Sequence, residues 1–207
     1  MDNAILGGVF LKSYRYTIKP RSRVLIVVGV LSLFMWAVTL YSLVATTSYS
    51  ASVDHWLQFI AALLLGIFSF TVARNHTWTV LIPCALLAFS AVMTYTVPHF
   101  LIIAQYLLLM ILILIHMPQR PAYVIQGLGT GCGVVALVMT LYTMGERLAY
   151  LSERGNATFS YVFPYVMRIL GGDVCIILIM TLLLLACKPQ KLPGWQDDQD
   201  YYDRIWE

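Results

Sequence analysis

The chain alternates between long apolar runs and short polar breaks, and this alternation predicts its secondary structure. Six runs occupy residues 24–45, 56–72, 77–96, 100–116, 123–144 and 161–187. About 20 apolar residues in an α-helix span the hydrocarbon layer of a bilayer, which is about 30 Å thick. Membrane β-strands would be about 10 residues long and would alternate in polarity. The pattern therefore predicts an all-α integral membrane protein with a bundle of six transmembrane helices.

The positions of lysine and arginine predict the orientation of this bundle. Cytoplasmic ends of membrane helices carry an excess of both residues. With the N-terminus inside, six crossings return the C-terminus to the inside, so we expect an N-in/C-in topology. The inner side then collects Lys12, Arg15, Lys19, Arg21, Arg23, Arg74, Arg120, Lys188, Lys191 and Arg204, and the outer side collects Arg147, Arg154 and Arg168.

The composition supports a membrane protein and limits the kinds of partner that are expected. The chain is 60% hydrophobic and 11% charged, whereas soluble domains carry about 25% charged residues. We expect a basic cytoplasmic segment (1–23), a six-helix domain (24–187) and an acidic, aromatic cytoplasmic tail (188–207). The net charge of +3 comes without a basic stripe away from the membrane, so no nucleic acid is expected. The expected partners are the lipid bilayer and other membrane subunits, in the cell membrane of a bacterium.

The last run contains the candidate ligand-binding residues. Arg168 and Asp173 are the only charged residues inside any run, and an ionisable group at membrane depth is a functional-site hypothesis. Five residues apart on an α-helix, they would point about 140° apart, so each needs partners from other helices. We expect Asp173 and Arg168 to bind a ligand together with Tyr95 and Tyr142; the alternative is that Asp173 only stabilises helix packing. Further candidate partners at the same depth are Tyr41, Thr94 and Thr140.

Glycines predict close contacts between helices. The fifth run opens with two interleaved small-xxx-small pairs, which predict packing on two faces of that helix. Two more glycines directly precede Asp173. The predicted packing residues are Gly127, Gly129, Gly131, Gly133, Gly171 and Gly172.

Cysteine and histidine give no reason to expect a metal or a cofactor. The four cysteines, Cys84, Cys132, Cys175 and Cys187, form no C-x-x-C pair. The four histidines, His55, His76, His99 and His116, lie two on each side, which is similar to the bis-histidine pairs of membrane b-type cytochromes. All four lie at helix ends, where a haem would be poorly enclosed, so interfacial polar residues are expected instead.

His76 and Cys84 lie eight residues apart at the start of the third run. This pair resembles the histidine and cysteine of Agr-type peptide-processing membrane peptidases, which have a similar size and six helices. The resemblance implies a membrane-embedded cysteine peptidase in which histidine activates the thiol. Arg74 and Asn75 depart from the glycines that this family favours before its histidine, and the peptidase is kept as an alternative.

The small number of buried polar groups favours a function without catalysis. We expect a non-enzymatic multi-pass membrane protein, either a small transport subunit or an accessory component of a larger envelope complex. In size and topology the chain is similar to the substrate-binding subunits of energy-coupling vitamin transporters and to short ABC-type export permeases. A second alternative is an interaction or immunity-type protein that works through its tail and through the outer loop 145–160, whose first part is expected to continue the fifth helix.

The topology predicts a labelling pattern in intact cells. Single cysteines at Glu153 and at Gln196, in a background lacking the four native cysteines, should react with a membrane-impermeant thiol reagent from opposite sides of the membrane. Glu153→Cys should label from outside, and Gln196→Cys only after the membrane is permeabilised. Labelling of both from outside would contradict the six-crossing topology.

Overall fold

The described residues of each of the six apolar runs are mainly helical in the computed structural model, which describes residues 5–6, 9–10, 14–18, 23–45, 53–71, 74–94, 96–153 and 158–190. The all-α fold with six helices is thus confirmed. In the last run, α6, a π-helical turn and α7 follow one another without a break, and together they are called the last helix. The helical elements are α1 (Arg23–Ala45), α2 (Val53–Thr71), α3 (Leu81–Thr94), α4 (Val97–Leu114), α5 (Gln119–Glu153), α6 (Phe159–Ile169), the π turn (Leu170–Val174) and α7 (Cys175–Ala186).

Five of the helices are long and apolar enough to cross a membrane: α1, α2, α4, α5 and residues 162–186 of the last helix. The third is a shorter apolar helix. Its run does not form one continuous α-helix, because a 3-10 turn at Arg74–Val80 precedes α3. Pro83 lies in the first turn of α3, where a helix has no internal N–H bond to lose.

Helix α5 is longer than a membrane requires. Its 35 residues correspond to about 52 Å at 1.5 Å per residue, against about 30 Å of hydrocarbon. The expected continuation of the fifth helix beyond residue 144 is therefore confirmed, and it extends to Glu153. Proline 121 is accommodated in the first turn of the helix.

Helices that follow one another in the chain pack side by side from α1 to α5, and the last helix closes the bundle. Its α7 part contacts α1, α4 and α5. Of the five long helices it is the most enclosed: 56% of an apolar 18-residue stretch is buried, against 22% of the corresponding stretch of α5. The last helix is therefore the centre of the hydrophobic core.

Short strands at one end of the bundle join the two ends of the described chain. Strand β3 (Arg15–Ile18) pairs antiparallel with β4 (Cys187–Gln190). Tyr14 exchanges two backbone hydrogen bonds with Met117, of 2.9 and 3.2 Å. The segments before α1 and after α7, and the connection between α4 and α5, therefore meet at one end of the bundle. The strand pairing was not foreseen from the sequence; a second antiparallel pair joins β1 (Ile5–Leu6) and β2 (Val9–Phe10).

Two of the five glycines of α5 make close contacts, and both lie on the face toward the last helix. A Cβ on Gly129 would lie 2.6 Å from Leu184 Cδ1, and one on Gly133 would overlap Thr181 Oγ1 and Gln105 Nε2. A Cβ on Gly127 or Gly131 would have no neighbouring atom within 4 Å. The second packing face predicted for α5 therefore finds no partner in the described part of this chain.

A polar contact accompanies this close packing. Gln105 is fully buried, and its Nε2 donates to Thr181 Oγ1 at 2.9 Å and to the carbonyl of Gly129 at 3.1 Å. Nearer the β3–β4 end, Gln126 Nε2 donates to the carbonyls of Leu184 and Cys187, at 2.9 and 2.8 Å. These amides hold α4 and α5 against α7 by hydrogen bonds that an apolar environment strengthens.

The difference between the two glycine faces predicts opposite effects of one substitution. Gly133→Ala should lower the free energy of unfolding by about 1–3 kcal/mol, because the methyl group overlaps Thr181 and Gln105. Gly131→Ala adds the same methyl group to an open position and should leave stability unchanged or raised. Thermal unfolding of both variants in detergent tests this. Equal effects of the two substitutions would contradict the assigned packing face.

Candidate functional site

Polar and charged side chains from three helices meet at the end of the bundle opposite β3 and β4. Asp54 lies in the first turn of α2 and His99 in the first turn of α4. Arg168 ends α6, and Asp173 lies in the π turn. Residues far apart in the chain are thus brought to one level of the bundle.

The π turn fixes the position of Asp173. Such a turn bonds residue i to residue i+5 and holds more residues than an α-helical turn. The 140° separation expected for Arg168 and Asp173 assumed a regular α-helix, and this assumption is wrong here. Gly171 allows the turn to touch α1, because an added Cβ would lie 2.6 Å from Val38 Cβ. As a result, Arg168 and Asp173 line the same cavity.

Asp173 has His99 as its hydrogen-bond partner. Oδ1 of Asp173 lies 3.2 Å from His99 Nε2, and His99 Nδ1 contacts Thr96 Oγ1. A neutral histidine satisfies both contacts when Nε2–H donates to the carboxylate and Nδ1 accepts from the hydroxyl. The imidazole is buried, whereas the Asp173 side chain is 28% exposed. His99 therefore orients one carboxylate oxygen while the rest of the carboxyl group stays accessible.

Arg168 pairs with a different carboxylate. Its Nη2 lies 3.7 Å from Asp54 Oδ2, and Asp54 Oδ1 lies 3.2 Å from His55 Nδ1. The Arg168 side chain is 58% exposed and that of Asp54 is 12% exposed. An ion pair with one exposed partner stabilises a fold by about 1 kcal/mol or less. The pair therefore serves mainly to place charges at the edge of the site.

A cavity of about 190 Å³ lies between α2 and the last helix. Gln58 forms part of its wall, and Gln58 Nε2 donates to Ser90 Oγ of α3 at 3.0 Å. This volume is below the several hundred Å³ of sites for drug-sized ligands. The cavity is lined by Asp54, Gln58, Tyr165, Arg168, Ile169, Gly172 and Asp173.

The residues expected to bind a ligand are found in different places. Arg168 and Asp173 line the cavity together, as does Gly172. Tyr142 is 66% exposed on α5 and is not among the lining residues, while Tyr95 lies outside the described residues. A role of any of them in ligand binding stays a prediction.

Four residues of this site were not predicted from the sequence: Asp54, Gln58, His99 and Tyr165. His99 had been assigned to the helix-end interface, but it is buried and contacts Asp173. The sequence did contain an indication of this contact. His99 lies near the start of the fourth apolar run, at the membrane depth where Asp173 needs a partner. Asp54 and Gln58 lie four residues apart at the start of α2, and this i, i+4 spacing places both on one helix face.

The pair of residues that resembles a cysteine peptidase gives no assembled site among the described side chains. Cys84 is fully buried in α3. The side chain of His76 lies outside the described part of the structure, so its pairing with Cys84 stays a prediction. Within the described residues, no group of three or more histidine, cysteine, aspartate or glutamate side chains is arranged to hold a metal ion.

Carboxylate, amide and guanidinium groups face a small space, and Cys84 is not among the residues that line it. No protein family model, curated protein or solved structure matches this chain.

The contacts of His99 predict its contribution to stability. His99→Leu removes the partner of Asp173 and of Thr96, and it should lower the free energy of unfolding by about 1–3 kcal/mol. His116→Leu is the control, because His116 is exposed beyond the end of α4. Thermal unfolding in detergent measures both. A His99 variant as stable as the His116 variant would show that the His99 contacts are unimportant.

Proposed function

We propose that this chain is a non-enzymatic multi-pass membrane protein whose cavity near Asp173 binds a small ligand. In this role it works as a small transport subunit or as an accessory component of a larger envelope complex. The single observation that carries the proposal is the cavity between α2 and the last helix, into which Arg168 and Asp173 both face.

The charge distribution supports an N-in/C-in orientation. At the β3–β4 end lie Arg15, Lys188, Arg23 and Arg120, each in or beside a short strand or a helix start. By the positive-inside rule this end faces the cytoplasm. Since β3 and β4 pair there, the segments flanking the bundle share one side. The cavity then opens toward the outside of a cell membrane, which we propose is the bacterial cytoplasmic membrane.

A transport subunit and an interaction protein make different demands on Asp173. A transport subunit needs polar groups from several helices to converge on a space, whereas an interaction protein needs Asp173 only as a contact between helices. Groups from α2 and the last helix line the cavity, and α4 supplies His99 behind Asp173. This convergence favours the ligand-binding role.

The length of α5 supports an accessory role as a second candidate. About 20 Å of this helix exceeds the hydrocarbon thickness. Its far end carries charged groups beside aromatic ones, and Arg147 lies 5.9 Å from the centre of the Tyr150 ring. A helix that extends beyond the membrane on the cavity side is suited to contact another envelope protein. Purification from native membranes, with and without residues 145–153, tests this role through the proteins that co-purify.

The Asp173→Asn substitution distinguishes a functional role of the Asp173 carboxylate from a purely structural one. Asparagine keeps the size and the acceptor for His99 but removes the charge. We expect normal abundance in the membrane and an unfolding temperature close to that of the wild type, with loss of the cellular phenotype in growth or uptake. Asp173→Glu is the matched control, because it keeps the carboxylate charge at the same position and should retain the phenotype that Asp173→Asn loses. A fully active Asp173→Asn protein would contradict the transport role.

A further inference from the structure

We infer that the cavity binds a primary ammonium group, so that its ligand is a small amine. The inference rests on the proposed function, because it names the ligand class of the same site. Its basis is an imbalance of charge and of hydrogen-bonding groups among the residues that line the cavity.

The charges of the lining residues do not cancel. Asp54 and Asp173 are acidic and Arg168 is the one basic group among the residues around the cavity. Arg168 is committed to Asp54 at 3.7 Å, and Asp173 meets an imidazole that can satisfy both of its contacts while neutral. When His99 is neutral, the lining residues carry one net negative charge, and this charge favours a cationic ligand. Coulomb attraction is stronger there than in water, because the walls have a low dielectric constant.

Two acceptor atoms beside the π turn are uncommitted, one on Asp173 and one on Gln58. Of the carboxylate oxygens of Asp173, Oδ1 contacts His99, and no described residue donates a hydrogen bond to Oδ2. Gln58 uses Nε2 to donate to Ser90, which leaves Oε1 as an acceptor near Gly172, 3.5 Å from the position of an added Cβ. An ammonium group has three N–H donors, which can form hydrogen bonds with these acceptor atoms. Beside Asp173, a carboxylate or phosphate ligand would meet acceptors and a negative charge, whereas the Arg168 guanidinium lies next to the other carboxylate, that of Asp54.

The dimensions and the aromatic lining also suit an amine. The cavity of about 190 Å³ admits a small molecule or a single headgroup. Tyr165 contributes an aromatic side chain to the lining, and aromatic rings attract cations through their electron-rich faces. Gly172 leaves space that any other side chain would fill, because its added Cβ meets Gln58 only at van der Waals distance.

Two sources supply a primary ammonium group beside a membrane: a free amine and the headgroup of phosphatidylethanolamine. The full chain, purified in detergent, is titrated with ethanolamine, with choline and with acetate while the unfolding temperature is measured. Choline carries the same charge without N–H donors, and acetate carries the opposite charge. In a second arm, the protein is placed in nanodiscs of phosphatidylethanolamine or of phosphatidylcholine.

Stabilisation by ethanolamine that exceeds the effect of choline, with none by acetate, supports a free amine as ligand. A higher unfolding temperature in phosphatidylethanolamine than in phosphatidylcholine supports the lipid headgroup. In either case Asp173→Asn should weaken the effect at least about tenfold in affinity. A wild-type protein that responds to neither arm, or that responds to acetate, overturns the inference.

Gly172→Leu tests whether the ligand occupies the cavity, and it leaves all charged residues unchanged. The added side chain should occupy the space next to Gln58 and abolish the response to amines. Gly131→Leu makes the same substitution at an open position of α5 and should retain the response. Should Gly172→Leu fail to fold, Asp173→Asn still decides the question.

The two proposals fail differently. Loss of the cellular phenotype in Asp173→Asn, combined with no amine response in the wild type, would leave the ligand-binding role standing and reject the amine. An amine response in the wild type, combined with a fully active Asp173→Asn protein, would reject the transport role and keep the ammonium site.

Discussion

The structure depends on the close approach of the last helix to its neighbours at glycine. Near one end an added Cβ on Gly171 would overlap Val38 of α1, and farther along Gly129 and Gly133 of α5 leave no space for a Cβ beside α7. Without a hydrophobic driving force between helices in lipid, van der Waals contact and interhelical hydrogen bonds hold a bundle together. Because glycine has no side chain at these positions, the last helix can contact three other helices closely.

The same close approach determines where polar groups can lie. Buried polar atoms need partners, and Gln105 Nε2 obtains them because Gly129 and Gly133 bring α5 next to α4 and α7. Gln105 Oε1 is buried with no hydrogen-bond partner among the described residues. Near the cavity end the last helix widens into a π turn, and π turns are frequent at functional sites. Asp173 lies within this turn, between the imidazole of His99 and the cavity.

The two ends of the bundle have different structures, and this difference is relevant to function. At one end, β3 and β4 pair and the connection between α4 and α5 bonds to Tyr14. At the other end, charged side chains surround a cavity, and α5 continues past its neighbours. The proposed ligand-binding role uses only the end with the cavity.

Local pattern was sufficient to predict the six helices, but not the short strands, the 3-10 turn or the π turn. Twenty or so apolar residues have few alternatives to a helix, because a backbone in lipid must bond to itself. For the same reason, Arg168 and Asp173 were recognisable as candidates from the sequence alone, since a charge inside an apolar run needs a specific environment. Which of Gly131 and Gly133 packs against another helix was not predictable. Both belong to equivalent small-xxx-small pairs, and only the rotation of α5 relative to α7 distinguishes them.

The partners of Asp173 were decided by the tertiary structure. Tyrosine and threonine residues at the right depth were as plausible as His99, because depth follows from position in the chain but the facing direction of each helix does not. The π turn altered the expected geometry further, since it changes the rotation of every residue after it relative to those before. The pairing of β3 with β4 joins residues more than 160 positions apart, and no local pattern of apolar and polar residues contains that information. The sequence by itself determined which segments are helical and which charges are exceptional; only the packing of helices against one another decided which side chains meet.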